Sequence, residues 1–423
     1  MTVDDVIIAG GGIGGLTAAL SLHRAGFPVR VFESVDRIQA LGVGINLLPH
    51  AVRELDSIGL ADDLAANGLT PTTLAYFTKR GEPIWDEPRG LAAGYRWPQI
   101  SIHRGILHTI LHAAALADIG ADRIHTGCHL DHFAETSNGV EATFIDRRTG
   151  ATSATATGSM LIACDGIHSV ARRHFYPDEG MPKWNGALLW RGLAEGAPVF
   201  DGRTMVWAGH PLQKFVMYPL LDLPDGSQQL NFIAELRTDD TELLEREDWN
   251  QPGDLADFLP QFEGWKFPWL DVPALIASAP GTFLFPMVDR DPIECWSFGR
   301  ITLLGDAAHP MYPIGSNGAS QAILDARTLT GCLLSYSADV ERALQRYDEV
   351  RRPTTSAIVL ANRGLGPELP MQLVEQRAPS GFSQLSDVIT PDEILEVTDG
   401  YRKMAGFSLQ QLHERPSLAE MQF

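Results

Sequence analysis

VIIAGGGIGGLTAALSLHRAGFPVRVFE, residues 6 to 33, decides the fold. Val6 to Ala9 is a short apolar run, as a parallel strand buried on both faces requires. Gly10, Gly12 and Gly15 then spell G-x-G-x-x-G, with Ile13 and Gly14 inside the motif. A helical pattern follows through Leu16, Ala19, Leu20 and Leu22, and Gly26 marks its stop. Val29 to Phe32 is a second apolar strand, with Glu33 at its end. The first glycine permits the tight turn, the second lets backbone approach a pyrophosphate, and the third lets the helix pack on the strand. The helix N-terminus adds unpaired N–H groups and the positive end of its dipole. Glu33 suits a ribose 2′-hydroxyl and disfavours a 2′-phosphate, so the nucleotide is FAD or NAD rather than NADP. A lone glycine fingerprint is weak, but here strand, glycines, helix, strand and acid come in the required order.

The chain has 423 residues, enough for two domains or one domain with a large insertion. Its hydrophobic content of 44% and charged content of 20% are those of a globular protein. A formal net charge of −20 repels phosphate backbones and anionic lipid surfaces, which argues against nucleic-acid and membrane partners. Cys128, Cys164, Cys295 and Cys332 form no C-x-x-C pair, so neither a disulfide framework nor a metal cluster is expected. No signal peptide and no apolar run of the ~18 residues a spanning helix needs are seen. The expectation is a soluble cytoplasmic protein, monomer or homodimer.

Several further loops have the look of the first. ALGVGINLLPHAVRELDSIGL (40–60) is a second glycine-rich loop before a helix. SIHRGILHTILHAAA (101–115) is an apolar-periodic helix with Arg104 in its first turn. GSMLIACDGIHSVARRHF (158–175) is an apolar strand ending in Asp165-Gly166, and GRITLLGDAAHP (299–310) another ending in Gly305-Asp306. Strand ends of this kind, far apart in sequence, suggest several loops closing on one long ligand.

Together these motifs resemble the single-component flavin-dependent aromatic hydroxylases, the p-hydroxybenzoate and salicylate hydroxylase family. The resemblance rests on G-x-G-x-x-G with Glu33, His103-Arg104-x-x-Leu107, D-G-x-x-S-x-x-R (165–172), and G-D-A-A-H with P-x-x-G (305–315). GVGINLLPHAV, WDEPRG, PQISIHRG and MYPIGSNGASQAILDA most resemble the branch containing the phenazine-carboxylate hydroxylase. The likeness covers roughly residues 3 to 360. It implies a Rossmann-like α/β FAD-binding domain with an inserted, mainly antiparallel substrate domain and a helical tail. The expected division is 1–70, 100–175 and 285–360 for FAD, 71–99 and 176–284 for substrate, and 361–423 for the tail. By the same resemblance, Gly10, Gly12, Ile13, Gly14 and Gly15 face the pyrophosphate and Glu33 the adenosine ribose. Val43, Gly44, Arg104 and Leu130 line the cofactor, with Asp165 and Gly166 near its pyrophosphate. Gly305 and Asp306 meet the ribityl chain. Pro313 and Gly315, with Asn317, Gly318 and Ala319, aim a helix N-terminus at the isoalloxazine N1–C2=O edge. Many members read G-Q-G-x-N after the proline, whereas this chain reads Gly315-Ser316-Asn317-Gly318. That departure leaves open which N–H group meets the ring.

The segments 71–99 and 176–284 lack the strand-glycine-helix grammar. ALLWRGLAE, RTMVWAG, KFVMYPLL and LNFIAEL read as antiparallel strands between Pro, Gly and Asp turns. Residues 241–279 look helical, with Trp265 and Trp269 packing, and the tail is proline-broken and then helical. Trp190, Arg191, Trp207, Met217, Tyr218, Met311 and Tyr312 are the expected substrate residues, an aromatic and apolar set suited to a flat ring. Tyr218, Tyr312 and Pro313 are the candidates for catalysis; His309 is read as structural. The resemblance implies that transient NADH or NADPH reduces FAD and that O2 then gives a C4a-hydroperoxyflavin, which hydroxylates a small aromatic or heteroaromatic molecule bearing carboxylate or hydroxyl. An FAD-dependent oxidase or reductase of the same fold, and a non-catalytic FAD-binding protein, are the alternatives.

Overall fold

The computed structural model describes residues 5–39, 42–238 and 251–423. Its organising element is a six-stranded sheet in the order Ser297–Phe298, Ile301–Leu303, Met160–Ala163, Val6–Ala9, Val29–Phe32, Ile124–His125. All neighbours are parallel except the edge pair of Ser297–Phe298 with Ile301–Leu303. Val6–Ala9 is buried along its whole length, which is why it reads as an unbroken apolar run. Ala9 lies opposite both Ala163 and Phe32, and Ala163 opposite Leu303. Four strands therefore end level, and Gly10, Asp165, Glu33 and Gly305-Asp306 leave the sheet side by side. One face is covered by the helices Ile13–Arg24 and Gly318–Ser335, which pack on each other. An antiparallel three-stranded sheet (129–158) adds to the same core, Phe144 stacking on Phe32 with ring centroids 4.2 Å apart.

The second large sheet has eight strands: Pro252–Gly253, Thr282–Asp289, Lys183–Gly196, Gln228–Arg237, Gln213–Asp222, Thr204–His210, Thr73–Phe77, Pro83–Pro88. It is antiparallel except where Thr204–His210 runs parallel to Thr73–Phe77. Side chains alternate across it. Leu188, Trp190, Met217, Phe215 and Phe232 share a core with Phe258, Phe262 and Trp265 from the covering segment. Trp207, Tyr218, Val216 and Met205 point to the opposite face, where Met371 and Val374 of the tail cover them. Ala187, Leu189 and Phe285 meet Tyr312 and Ile314 of the loop before helix Gly318–Ser335.

This parity corrects two expectations. Trp190 and Met217 stand on the face turned away from Tyr312, and Trp190 stacks on Phe258 at 4.9 Å. They are packing residues of the outer core. The expected helix over 241–279 is also only partly present. Residues 241–250 lie outside the described residues; beyond them Leu255–Phe258 and Val272–Ser278 are helical, with a small hairpin of Lys266–Phe267 and Leu270–Asp271 between. Pro260 and the Trp-Lys-Phe-Pro-Trp run disfavour a continuous helix there. Trp265 and Trp269 do pack, Trp269 against Phe77 at 4.4 Å.

The tail binds back onto both halves. Buried Glu54 accepts from Arg415 (2.9 Å), from the Ser417 hydroxyl (2.7 Å) and from Arg327. Lys214, on the eight-stranded sheet, pairs with Glu235 (2.9 Å) across the strand and with Glu368 (2.5 Å) of the tail, all three buried. His50 is fully buried, stacked on Phe407 of the tail at 5.1 Å. Burial, aided by the charges of Arg415 and Arg351, drops its imidazole from 6.5 to about 3.

Two outcomes follow. Trp190→Ala is expected to lower unfolding free energy by about 3–5 kcal/mol in chemical denaturation while the purified protein stays yellow, the mark of a core residue. For His50, the unfolded chain binds a proton that the native chain refuses, so stability is full above pH 6.5 and falls as pH drops toward 3. His50→Phe keeps the stack on Phe407 and should therefore lose less stability than wild type between pH 7.5 and pH 4.5, measured as urea midpoints.

Candidate functional site

The glycine loop divides its labour by geometry. Gly10 sits at φ +107°, and a Cβ there would fall 2.2 Å from the Cys164 carbonyl oxygen; a Cβ on Gly15 would fall 1.9 Å from the Gly10 carbonyl oxygen. Both positions exclude side chains because backbone already fills the space. A Cβ on Gly12, by contrast, would meet nothing within 4 Å, while one on Gly14 would press on Leu304. Gly12 caps the helix Ile13–Arg24 without any side-chain bond and with no acid in the first turn, so the N–H groups there are left for an anion. Glu33 braces this loop: its Oε2 accepts from Gly11 N–H at 2.6 Å and its Oε1 from Val35 N–H at 2.9 Å.

Two charged side chains, Arg104 and Asp306, lie near each other, and among the described residues neither has a hydrogen-bond or ion-pair partner. Arg104 opens its helix beside Gly42, and among the described residues no carboxylate or carbonyl takes its guanidinium. Its side chain is exposed; desolvation by the protein around it weakens its hold on the proton, Asp306 strengthens it, and Arg191 opposes. The Asp306 side chain is exposed, yet the protein around it raises its carboxyl, against the nearby charges of His309 and Arg104. Asp165 uses one oxygen to cap the turn at Val170 N–H (2.7 Å), and its other oxygen is buried without a partner. Burial raises this carboxyl too, against its bonds to Ser169 and backbone N–H groups. Gly166, at φ +79°, has open space beside it.

Asp306 is held in place from behind. Gly305, at φ +64°, donates its N–H to Asp325 at 3.2 Å. Asp325 also takes His309 Nε2 and Arg351 Nε, the latter at 2.7 Å. Burial works against its ionisation, yet His309 and Arg351 keep its carboxyl below the usual range. His309 is thus committed to the scaffold. Further on, Gly315 (φ +70°) and Ser316 (φ +57°) turn the chain into helix Gly318–Ser335. Asn317 does not cap that helix; its amide donates to Gly315 O at 3.2 Å and to the Tyr401 hydroxyl at 2.9 Å. Gly318 is open, and the helix has no acid in its first turn.

The tyrosines expected to act in catalysis are otherwise engaged. The Tyr218 hydroxyl and Arg191 Nη2 both donate to the Gly44 carbonyl at 2.7 Å, while Asn231 Oδ1 accepts from Gly44 N–H at 2.7 Å. A Cβ on Gly44 would meet Tyr218 at 2.8 Å and Asn231 at 2.9 Å. Tyr218 and Arg191 thus clamp the strand Gly44–Leu47, and Val43 just before it is buried. Burial raises the Tyr218 hydroxyl; burial and then Asp289 push Tyr312 up to about 12. Each therefore holds its proton more tightly than a free phenol. Trp207 is buried edge-on to Tyr76, Met311 packs with the tail cluster around Tyr401, and Pro313 is exposed. Leu130 is buried in the core, leaving only its backbone to face a ligand. Asp325, Arg351, Asn231 and Tyr401 were not anticipated. An acid on the apolar face of the helix 318–335 is a readable signal for Asp325; nothing in the sequence marks Tyr401.

The family model described as "FAD binding domain" matches residues 4–218 and 287–362. The phenazine 1,6-dicarboxylic acid hydroxylase PhzS of Lysobacter antibioticus is 43% identical over 366 residues, 86% of this chain and 90% of that protein. The 3-hydroxybenzoate 6-hydroxylase of Klebsiella oxytoca is 31% identical, covering 85% and 87%. The chain belongs to the FAD-dependent aromatic hydroxylases. In fold this hydroxylase matches a salicylate hydroxylase substrate complex with a TM-score of 0.75 at 22% identity, over 99% of this chain and all of the other. It matches Klebsiella pneumoniae HpxO, solved with FAD and uric acid, with a TM-score of 0.72 at 24% identity over 97% of both chains. The hydroxylase is a flavoprotein monooxygenase, the first of the three readings of its sequence. Its cofactor is FAD, with NAD(P)H as the reductant typical of the family. The residues present fit such a cofactor: there is open space beside Gly12, Gly166 and Gly318, two helix N-termini have no side-chain cap, and among the described residues Arg104 and Asp306 have no partner.

Because a Cβ at Gly12 meets no protein atom, Gly12→Val should fold with a near wild-type thermal midpoint yet purify without bound flavin. Absorbance at 450 nm against protein concentration checks it; a yellow Gly12→Val protein would overturn the placement.

Proposed function

We propose that this monooxygenase hydroxylates a carboxylate-bearing aromatic or heteroaromatic ring, of the phenazine-carboxylate class that its relative's name describes. The observation that carries the reading is the level ending of four strands, which brings Gly12, Glu33, Asp165 and Asp306 side by side, with Arg104 near Asp306 and without a partner among the described residues. FAD, when bound, supplies the electron transfer and oxygen chemistry. The chain supplies the rest. Arg104 and the N-terminus of helix Ile13–Arg24 neutralise phosphate charge. Asp306 accepts from a ribityl hydroxyl, and its fixed position comes from Asp325 behind it. Backbone N–H groups of Gly318 and Ala319 stabilise negative charge at the pyrimidine edge of the flavin.

We place the substrate beside the loop 311–315, where Tyr312 and Ile314 pack on Leu189 and Phe285 of the eight-stranded sheet. Leu189, Phe285 and Tyr312 build an apolar wall there that excludes water from the reacting atoms. Tyr218 and Arg191 act as positioning residues that hold Gly44, and no side chain of this wall is a base at neutral pH. We read residues 71–99 and 176–284 as the substrate domain, the three segments that build the parallel sheet as the FAD domain, and 361–423 as a tail joining them. Four free cysteines support a cytoplasmic setting, and among the described residues no helix is long and apolar enough to cross a membrane.

The test is aerobic NADH and NADPH oxidation with a panel of hydroxybenzoates, nicotinates and phenazine carboxylates, with mass spectrometry of the products. A stimulated rate and a product one oxygen heavier are expected for a ring carboxylate. Asp306→Ala should lower flavin occupancy and stimulated rate together. A rate that no aromatic acid in the panel changes would overturn the substrate class.

A further inference from the structure

The backbone groups of the turn 10–12 are directed one by one. Gly10 donates its N–H to the Phe32 carbonyl at 2.8 Å, and Gly11 donates its N–H to Glu33 Oε2 at 2.6 Å. Both acceptors belong to the end of the second parallel strand. Gly12 gives its carbonyl to Leu16 N–H at 2.9 Å, which starts the helix Ile13–Arg24. The Gly11 carbonyl finds its partner elsewhere: His108 Nε2 lies 2.5 Å from it. A carbonyl only accepts, so Nε2 carries the hydrogen and the imidazole donates.

His108 is half-buried on the helix Arg104–Ile119, which packs against Ile13–Arg24. It follows Arg104 by four residues, about one helical turn, so the two side chains leave the same face. The cation assigned above to phosphate and the donor to the glycine turn therefore come from a single helix face.

The contact matters because of what stands at the other end of the same peptide. The Gly11 C=O and the Gly12 N–H belong to one planar trans unit, so they point in opposite directions. A carbonyl fixed on His108 sets the Gly12 N–H on the side away from His108. This peptide lies between two glycines, and with no Cβ at either end a half-turn of its plane meets little steric resistance. Glu33 does not prevent that turn, because the N–H it holds belongs to the preceding peptide. The helix Ile13–Arg24 has no side-chain cap, so backbone N–H groups from Gly12 onward are what the loop offers an anion.

We propose that His108 is a positioning residue for the cofactor, holding the Gly11–Gly12 peptide so that the Gly12 N–H serves the pyrophosphate. The proposal rests on the reading that the glycine loop holds that pyrophosphate, and the test separates the two. Dissociation constants for FAD come from the fluorescence released on diluting the holoenzyme, and those for ADP and adenosine from competition with FAD. His108→Ala and His108→Leu, which lack the donor, should bind FAD and ADP about tenfold more weakly than wild type, with adenosine unchanged because it carries no phosphate. His108→Gln restores an N–H donor on a side chain of similar reach and should return both constants toward wild type. Circular dichroism establishes that each variant is folded. Wild-type binding of FAD and ADP by the Ala and Leu variants, an equal loss for adenosine, or a Gln variant no better than Leu overturns the proposal. Gly12→Val distinguishes the failures. If it loses flavin while His108→Leu binds as wild type, only the role of His108 falls; if it keeps flavin, the pyrophosphate is not at this loop and the proposal falls with that reading.

Discussion

The contact on which the rest depends is between two backbone segments, at Gly10 and Gly15. With only 1.9 Å between a Cβ on residue 15 and the carbonyl oxygen of residue 10, the first helix can lie this close to the first strand only if no side chain intervenes. The strand in turn is seated against Cys164, where residue 10 has no room for a side chain either. These approaches hold the helix N-terminus over the ends of Val6–Ala9 and Met160–Ala163, and the parallel register carries the same level across to Leu303. An anion site made of backbone N–H groups is only as well placed as the packing beneath it. Asp325 extends the constraint, tying Gly305, His309 and Arg351 into one buried cluster, so the loop bearing Asp306 is held from behind.

The parallel half was legible in the sequence because its signals are local. A strand buried on both faces is an apolar run, a tight turn is a glycine, and an acid at a strand end keeps its place in the fingerprint. The eight-stranded sheet was legible as strands but not as faces. Trp190 and Met217 are as aromatic or apolar as Trp207, and only pairing register assigns them to opposite sides of the sheet. Tyr218 and Arg191 misled for a related reason: their partner is a backbone carbonyl 174 and 147 positions away, at Gly44, which no local pattern reports. The candidate site was thus readable where backbone geometry makes it and unreadable where long-range side-chain contacts do.

Arginine serves three purposes here, and charge alone would not separate them. Arg351 and Arg327 are buried against carboxylates and lock helices together. Arg191 holds backbone with a carbonyl acceptor. Arg104 has no acceptor among the described residues, which suits it to the ligand role proposed for it. In a chain with 53 acidic residues against 33 basic ones, an arginine without a carboxylate is a more telling feature than one with it.

The placement of Tyr401 has a consequence for the order of assembly. The loop 313–318 is braced by Asn362 and by a tyrosine from the last tail helices, and the tail itself is anchored through Arg415 and Ser417 to Glu54. Tyr401, Arg415 and Ser417 follow every strand of the parallel sheet in the chain. The nucleotide half of the pocket can form early in synthesis, because its strands and first helix are encoded near the start and middle of the chain. The wall behind the flavin loop is completed only once Tyr401 has been made, so a growing chain can fold around the adenosine end before it can enclose the ring.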